Sequence, residues 1–359
     1  MSKKKVYLTL QNGSSFQGYT FGAEGETSGE LVFNTGMVGY IEALSDPCNQ
    51  GQILVQTFPL IGNYGMVYAD VESERAWVSA YVVREICDDP SNFRLDGKLE
   101  TYLKEQNVIG ICGVDTRQLT KILREEGTMN ARISFKPLTE EEIKMLANGK
   151  SQTCALNHVS VENFVCDKQN AKNVALWDFG AKNSTLKKLL SLGCNVKRFS
   201  ATATAQEVLT SNVDGIVLSE GPGNPNDYPD IVAEIKKVLG KKPILGLGLG
   251  HQFVALALGA KVEKHKYGHH GSNQPVKCVD CGKVYISTQN HGYVVINESV
   301  AQGKVKFVNV NDGTCEGIEY QDLKALTVQF TPDCCDIGND ENPIYAKFLS
   351  MMEEVNKNA

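Results

Sequence analysis

The sequence predicts two α/β-containing domains, a β-rich one first and a doubly wound, mostly parallel sheet behind it. Three observations carry this. The chain has 359 residues, enough for two domains with ordinary cores, since domains cluster near about 100 to 200 residues. Its second half alternates short apolar runs with amphipathic ones at close spacing, as β-α-β units do when helices cover both faces of a parallel sheet. Its first half lacks that rhythm and is punctuated by glycine and proline.

Residues 1–150 form the predicted first domain. "KVYLTL" and "GELVFNT" read as strands, and "VDTRQLTKILREEG" as the one clear helix. Asp115 or Thr116 can cap that helix, Leu119, Ile122 and Leu123 share a face, and Gly127 stops it. Residues 151–172, "SQTCALNHVSVENFVCDKQNAK", sustain no period and read as a linker. The second predicted domain covers 173–359. "NVALWDFG" is a strand, and "KNSTLKKLLSLG" is a helix with Asn183 or Ser184 as N-cap, an apolar face of Leu186, Leu189 and Leu190, and Gly193 as stop. Next come "NVKRFS" as strand, "TAQEVLTSN" as helix, "DGIVLSEGPG" as strand and turn, "YPDIVAEIKKVLG" as helix, "KPILGL" as strand and "HQFVALALG" as helix. After residue 260 short extended stretches such as "KVYIST", "KVKFVNV" and "ALTVQF" fit added or edge strands.

Composition narrows the function. Apolar residues make up 42% and charged residues 22%, the balance of a globular protein. The 36 basic and 42 acidic residues give a net charge of −6 without long runs of either sign, so the electrostatic footprint of a nucleic-acid binder is missing. The apolar run after "MSKKK" is too short for a signal-peptide core or a membrane span, so a cytoplasmic protein is expected, with neither nucleic acid nor membrane as partner. Eleven cysteines are scattered and odd in number, which favours free thiols. Cys278 and Cys281 form one C-x-x-C and Cys334 and Cys335 are adjacent, but the second C-x-x-C of a strong zinc signature is absent, and no metal site is assigned.

Ligands of an open parallel sheet bind beyond the carboxyl ends of its strands. Two turns expected there are rich in glycine, "LSEGPGNP" and "GLGLGHQ". A dinucleotide fingerprint is the weaker reading, because His251 stands at its third glycine and the turn follows a late strand. The better match for "ILGLGLGHQF" is a nucleophile elbow, in which a strand enters a sharp turn and a helix, and the turn residue projects beside exposed N–H groups. Here that residue is Gly248, which has no side chain.

With this elbow, "FNTGMVGY", "GVDTRQLTKILREEG", "GHHGSNQPV" and "QNHGY" appear in the order found in the small-subunit family of carbamoyl-phosphate synthetases, which the chain resembles from about residue 6 to its C-terminus. The resemblance implies a class I glutamine amidotransferase domain, in which a cysteine at the elbow attacks glutamine, a histidine acts as base and a glutamate orients it. It implies that the ammonia passes to a large-subunit partner, which carries the ATP and metal; no cofactor is expected in this chain. It also implies a place in arginine or pyrimidine biosynthesis. The sequence departs from the family pattern at all three catalytic positions. Gly248 stands for the cysteine, and "TPD" places Thr331 and Asp333 where the family has histidine and glutamate. A hydroxyl is no base near neutral pH, and loss of a triad nucleophile costs on the order of 10⁶ in turnover in a well-studied hydrolase. The family's glutamine-contacting serine is here Cys48, in "SDPCNQ". The other contacts that the resemblance assigns to glutamine or a related small molecule persist at Gly221, Gly223, Leu249, Gln252, Asn290, Gly292 and Tyr293. His251 is read as packing at the start of its helix, His269 and His270 as structural members of a loop, and His291 as chiefly structural. The expected function is a small subunit, or close paralogue, with a silent glutaminase site that supports ammonia-dependent synthesis. The alternatives are a non-catalytic regulatory or ligand-binding paralogue and a glutaminase using Cys48 as a relocated nucleophile.

Overall fold

The structure, a computed structural model, describes residues 4–149, 156, 162–166, 171–335 and 342–358. It divides into two units, Met1–Cys154 with Lys266–Ser272, and Ala155–His265 with Asn273–Ala359.

Seven strands of the first unit close into a barrel in the order Lys5–Leu10, Ser15–Gly22, Ile109–Cys112, Ala80–Val82, Ile53–Gln56, Thr27–Asn34 and Met129–Ser134. Antiparallel pairing of the first strand with both its neighbours completes the ring. Strand side chains alternate in direction, so "KVYLTL" sends Val6, Leu8 and Leu10 into a core shared with Leu31, Ile53 and Ile111. The predicted helix runs Thr116–Glu126, with the Asp115 side chain accepting from the Gln118 N–H and Gly127, at φ +96°, ending it. Leu119 and Leu123 are fully buried and Ile122 partly so. The segment Lys266–Ser272 completes this unit: the Thr128 N–H donates to the Lys266 carbonyl at 2.9 Å, the Thr35 N–H to that of His270 at 3.2 Å, and Tyr267 packs on Phe33.

The second unit holds a ten-stranded sheet. Its parallel centre is Cys194–Ser200, Lys172–Asp178, Gly215–Leu218, Ile244–Leu247 and Ala325–Val328, in that order. Cys315–Tyr320, Val284–Val295, Val262–Cys278 and Lys304–Asn309 extend it beyond Ala325–Val328. The central strands are buried along their lengths, as continuous apolar runs such as "VALW" and "GIVL" require when helices cover both faces. Two core clusters lie in the unit, one around Trp177, Phe253 and Ile235, the other around Leu176, Leu247, Phe330 and Phe348.

Three local expectations are corrected. The helix after "NVALWDFG" spans Asn183–Ser191 with Lys182 as N-cap instead of Asn183 or Ser184, because Lys182 is the last extended residue (φ −82°, ψ 150°) and Asn183 is already helical. The segment "GHHGSNQPV" is part of the 17-residue strand Val262–Cys278 and not a loop, and His269 and His270 are buried in it. Most of the expected linker 151–172 lies outside the described residues, but within it Glu162–Phe164 forms an edge strand antiparallel to Val196–Arg198. Among the described residues no helix is long and apolar enough to cross a membrane.

Candidate active site

The turn between the strand Ile244–Leu247 and the helix Leu249–Ala257 has the expected elbow form. Gly248 sits at φ 51°, ψ −108°, a region that side-chain-bearing residues enter only with strain. Its N–H donates to the Val328 carbonyl at 2.9 Å, and the Gly250 N–H donates to that of Ser219 at 3.0 Å, so both flanking strands grip the turn. Gly250 is dictated by close approach, since a Cβ there would lie 2.3 Å from the Leu218 oxygen. The backbone of a nucleophile elbow is therefore complete around a residue without a nucleophile.

Glu220 stands directly beside Gly248. A Cβ built on Gly248 would lie 3.3 Å from its Cγ and 3.4 Å from its Cα and Cβ. Glu220 is only 5% exposed, and its carboxylate accepts from the Thr185 hydroxyl at 3.1 Å. Thr331 follows the next parallel strand, Ala325–Val328; its N–H donates to the Thr288 carbonyl at 3.0 Å. Lys182, also 5% exposed, donates from Nζ to the Thr331 hydroxyl at 3.1 Å. At the position read as that of the base stands a hydroxyl, which is no base near neutral pH. Asp333 is half-buried in the one-turn helix Pro332–Cys335 that follows. Gly248, Glu220, Lys182 and Thr331 thus gather at the carboxyl ends of the parallel strands.

The other predicted residues divide by unit. Gly221 and Gly223 lie in the turn after Gly215–Leu218, Leu249 begins the elbow helix, and Asn290, Gly292 and Tyr293 lie half-buried on Val284–Val295. The Gln252 side chain is buried and committed within the protein, Nε2 donating to the Tyr293 carbonyl at 2.8 Å and to Gln329 Oε1 at 2.9 Å. It fixes the elbow helix to two neighbouring strands. Cys48 belongs to the first unit, half-buried in the short turn Pro47–Asn49, where its N–H donates to the Asp46 carboxylate.

No described histidine of this neighbourhood is arranged as a base for position 248. His251 is fully buried, its Nδ1 is 2.8 Å from the Thr327 hydroxyl, and burial pushes its pKa down to about 3. His291 has Nδ1 at 2.9 Å from the Tyr293 carbonyl and Nε2 at 3.2 Å from Gln289 Oε1, and Gln289 donates to the buried Glu316 at 3.0 Å. The sequence reading missed Lys182, Glu220, Thr185 and Gln329. Lys182 and Glu220 carried a usable signal: each is a charged residue placed where an apolar strand meets a turn at the ligand end of the sheet.

Two family profiles match the chain. That of the "Carbamoyl-phosphate synthase small chain, CPSase domain" covers residues 8–133, and that of the "Glutamine amidotransferase class-I" covers residues 175–351. The chain is similar to the carbamoyl phosphate synthase small chain of Bacillus caldolyticus, 42% identical over 358 residues and 98% of each chain. It is 44% identical over 347 residues to the small chain of Clostridium perfringens, covering 96% of this chain and 99% of that one. To the carbamoyl phosphate synthase pyrimidine-specific small chain of Bacillus subtilis it is 41% identical over 357 residues, 98% of this chain and 97% of that one.

Proposed function

The chain belongs to the carbamoyl phosphate synthase small-chain family, and from that premise we propose that it is a small subunit whose own glutaminase half-reaction is absent and which supports ammonia-dependent synthesis by a large subunit. The observation that carries the proposal is Gly248, an elbow with its backbone intact and no atom that can attack an amide.

Glutamine hydrolysis by a thiol enzyme needs a thiolate to add to the amide carbon, a base to hold the thiol proton and return it to the leaving ammonia, and N–H donors for the oxyanion. Positions 248 and 331 supply neither the thiolate nor the base, and the N–H groups of Gly248 and Gly250 are already given to the Val328 and Ser219 carbonyls. At position 331 the side chain is a hydroxyl, which is no base near neutral pH, and Lys182 Nζ donates to it at 3.1 Å. The buried polar contacts of Glu220, Thr185, Lys182 and Gln252 support retention of the domain as a folded body for assembly or regulation. Glutamine or a related small molecule remains a candidate ligand through Gly221, Gly223, Leu249, Asn290, Gly292 and Tyr293. The name of the Bacillus subtilis relative supports pyrimidine synthesis as the destination of the product; an arginine route is equally compatible with the site.

The test is carbamoyl phosphate formation by the chain with its large subunit, fed with glutamine or with ammonium. Ammonium is expected to support synthesis and glutamine is not, with no glutamate released. Glutamate release that disappears on thiol alkylation or in Cys48→Ser would overturn the proposal in favour of a relocated nucleophile. Failure to co-purify with any large subunit would favour a regulatory paralogue.

A further inference from the structure

The strand Val284–Val295, which carries Asn290 and Tyr293, begins just after a tight turn that the proposed function does not use. The turn reads "CVDCGK" and joins Cys278, the last residue of its strand, to Val284. It is closed by the Gly282 N–H to the Cys278 carbonyl and the Cys278 N–H to that of Lys283, both 2.9 Å, with Gly282 at φ +72°. Asp280 at its tip pairs with Lys304 and Lys306, each at 2.6 Å, and the Val279 N–H donates to the Lys306 carbonyl at 2.9 Å. The turn is thereby tied to the neighbouring strand Lys304–Asn309, so the two cysteines occupy one defined geometry.

Within that geometry the thiols are unlike. Cys278 is 7% exposed and belongs to the apolar cluster of Tyr285 and Phe307, whereas Cys281 is exposed. The two thiols sit close enough within the turn for each to act on the other's ionisation. Burial raises the Cys278 thiol, while the Cys278 side chain first, and then the Lys283 N–H, lower that of Cys281. An accessible thiol that ionises readily beside a shielded one is the arrangement that thiol–disulfide exchange requires. Residues three apart across such a turn lie within about 7 Å between Cα atoms, the range a disulfide spans. Metal retention is a poorer fit: structural thiolate sites for zinc take four ligands, and among the described residues no third histidine, cysteine or carboxylate joins this pair at ligand spacing.

We propose that Cys278 and Cys281 form a redox-active dithiol that exchanges with low-molecular-weight disulfides of the glutathione type. The Cys281 thiolate attacks one sulfur of the disulfide, the S–S bond breaks, and the departing thiolate takes up a proton. Cys281 is then held in a mixed disulfide. Cys278 loses its proton and attacks the Cys281 sulfur, closing the intramolecular disulfide and releasing the second thiol. The protein dithiol is oxidised by two electrons and the small disulfide is reduced to two thiols; excess thiol drives the reverse.

The test uses the full chain equilibrated in glutathione buffers of rising oxidised fraction, quenched with acid, alkylated and digested, with each cysteine peptide read by mass spectrometry. The expected result is a disulfide between Cys278 and Cys281 in most molecules at the oxidising end, reversed by excess reduced glutathione. Cys278→Ser should stop at the mixed disulfide, with glutathione on Cys281 at least about tenfold above wild type, and Cys281→Ser should give neither product. A 278–281 peptide that stays fully reduced at every ratio would overturn the proposal, as would equal glutathione occupancy on Cys281 in wild type and Cys278→Ser. The wild-type titration decides the matter even where a variant folds poorly.

Discussion

At Gly248 the backbone of a reactive turn is present without a side chain, whereas at Cys278 and Cys281 two reactive side chains occupy a hairpin turn of ordinary shape. The first turn is buried between two parallel strands and a helix, and its conformation is set by N–H bonds to Ser219 and Val328. The second is held by Asp280 and its lysines and exposes one of its thiols. The difference teaches that the elbow is specified by its surroundings and not by the residue at its tip. A turn whose main-chain bonds are made by neighbouring strands keeps its shape when the tip is empty. The hairpin, by contrast, seats one thiol in the apolar cluster of Tyr285 and Phe307 and leaves the other exposed.

The sharpest way to break this comparison is to refill the elbow. Gly248→Cys alone should release almost no glutamate, since position 331 offers no base. Adding Thr331→His should raise the rate by about 10² to 10⁴, the usual contribution of general acid–base catalysis. Asp333→Glu should add more, since its side chain is one methylene longer and can orient the imidazole. Glutamate release by the single, double and triple variants measures this; equal rates for single and triple would mean that the three positions do not act as a unit. Because Glu220 crowds the new side chain, the triple variant is also the background in which Glu220→Ala should help.

A smaller but still large effect is expected from Gly250→Ala. The added Cβ would fall 2.3 Å from the Leu218 oxygen and 2.6 Å from the Leu218 Cβ, an overpacking clash of about 1 to 3 kcal/mol or more. Chemical denaturation should register it, whereas Gly282→Ala in the hairpin, where nothing lies within 4 Å of a new Cβ, should pay only for a side chain at positive φ, about 1 to 2 kcal/mol.

His251 ties the elbow helix to pH. Its folded pKa of about 3 lies below the 6.5 of an unfolded histidine. The unfolded chain therefore binds a proton that the native site refuses, and stability falls as pH drops from 6.5 toward 3, by about 1.4 kcal/mol per pH unit from this group. Above pH 6.5 the effect vanishes. His251→Asn, which keeps a polar atom for Thr327, should flatten denaturation midpoints between pH 6.5 and 5; an unchanged slope would show that this histidine is not held neutral.

Gly248→Cys should also register on stability. A side chain at φ 51°, ψ −108° costs about 1 to 3 kcal/mol, and contact with Glu220 at 3.3 Å offers little relief. The unfolding midpoint should fall. A clear rise would show that the turn relaxes out of the elbow form.

By itself the sequence determined the two-part α/β architecture, the parallel centre of the second sheet and the elbow at Gly248, because each rests on local pattern: apolar runs of strand length, caps such as Asp115, and glycines spaced around a turn. It also determined that positions 248 and 331 carry neither a thiol nor an imidazole, since that is a matter of residue identity. Only the tertiary structure decided what fills the space. That Lys182 meets Thr331 across 149 positions, that Glu220 stands beside Gly248, and that Gln252 is committed to Tyr293 and Gln329 are consequences of strand order. Strand order likewise places "GHHGSNQPV" in a long strand instead of a loop. The unlike burial of Cys278 and Cys281 was hidden for the same reason: spacing fixes which residues share a turn, but exposure depends on the strands and side chains that distant parts of the chain bring against it.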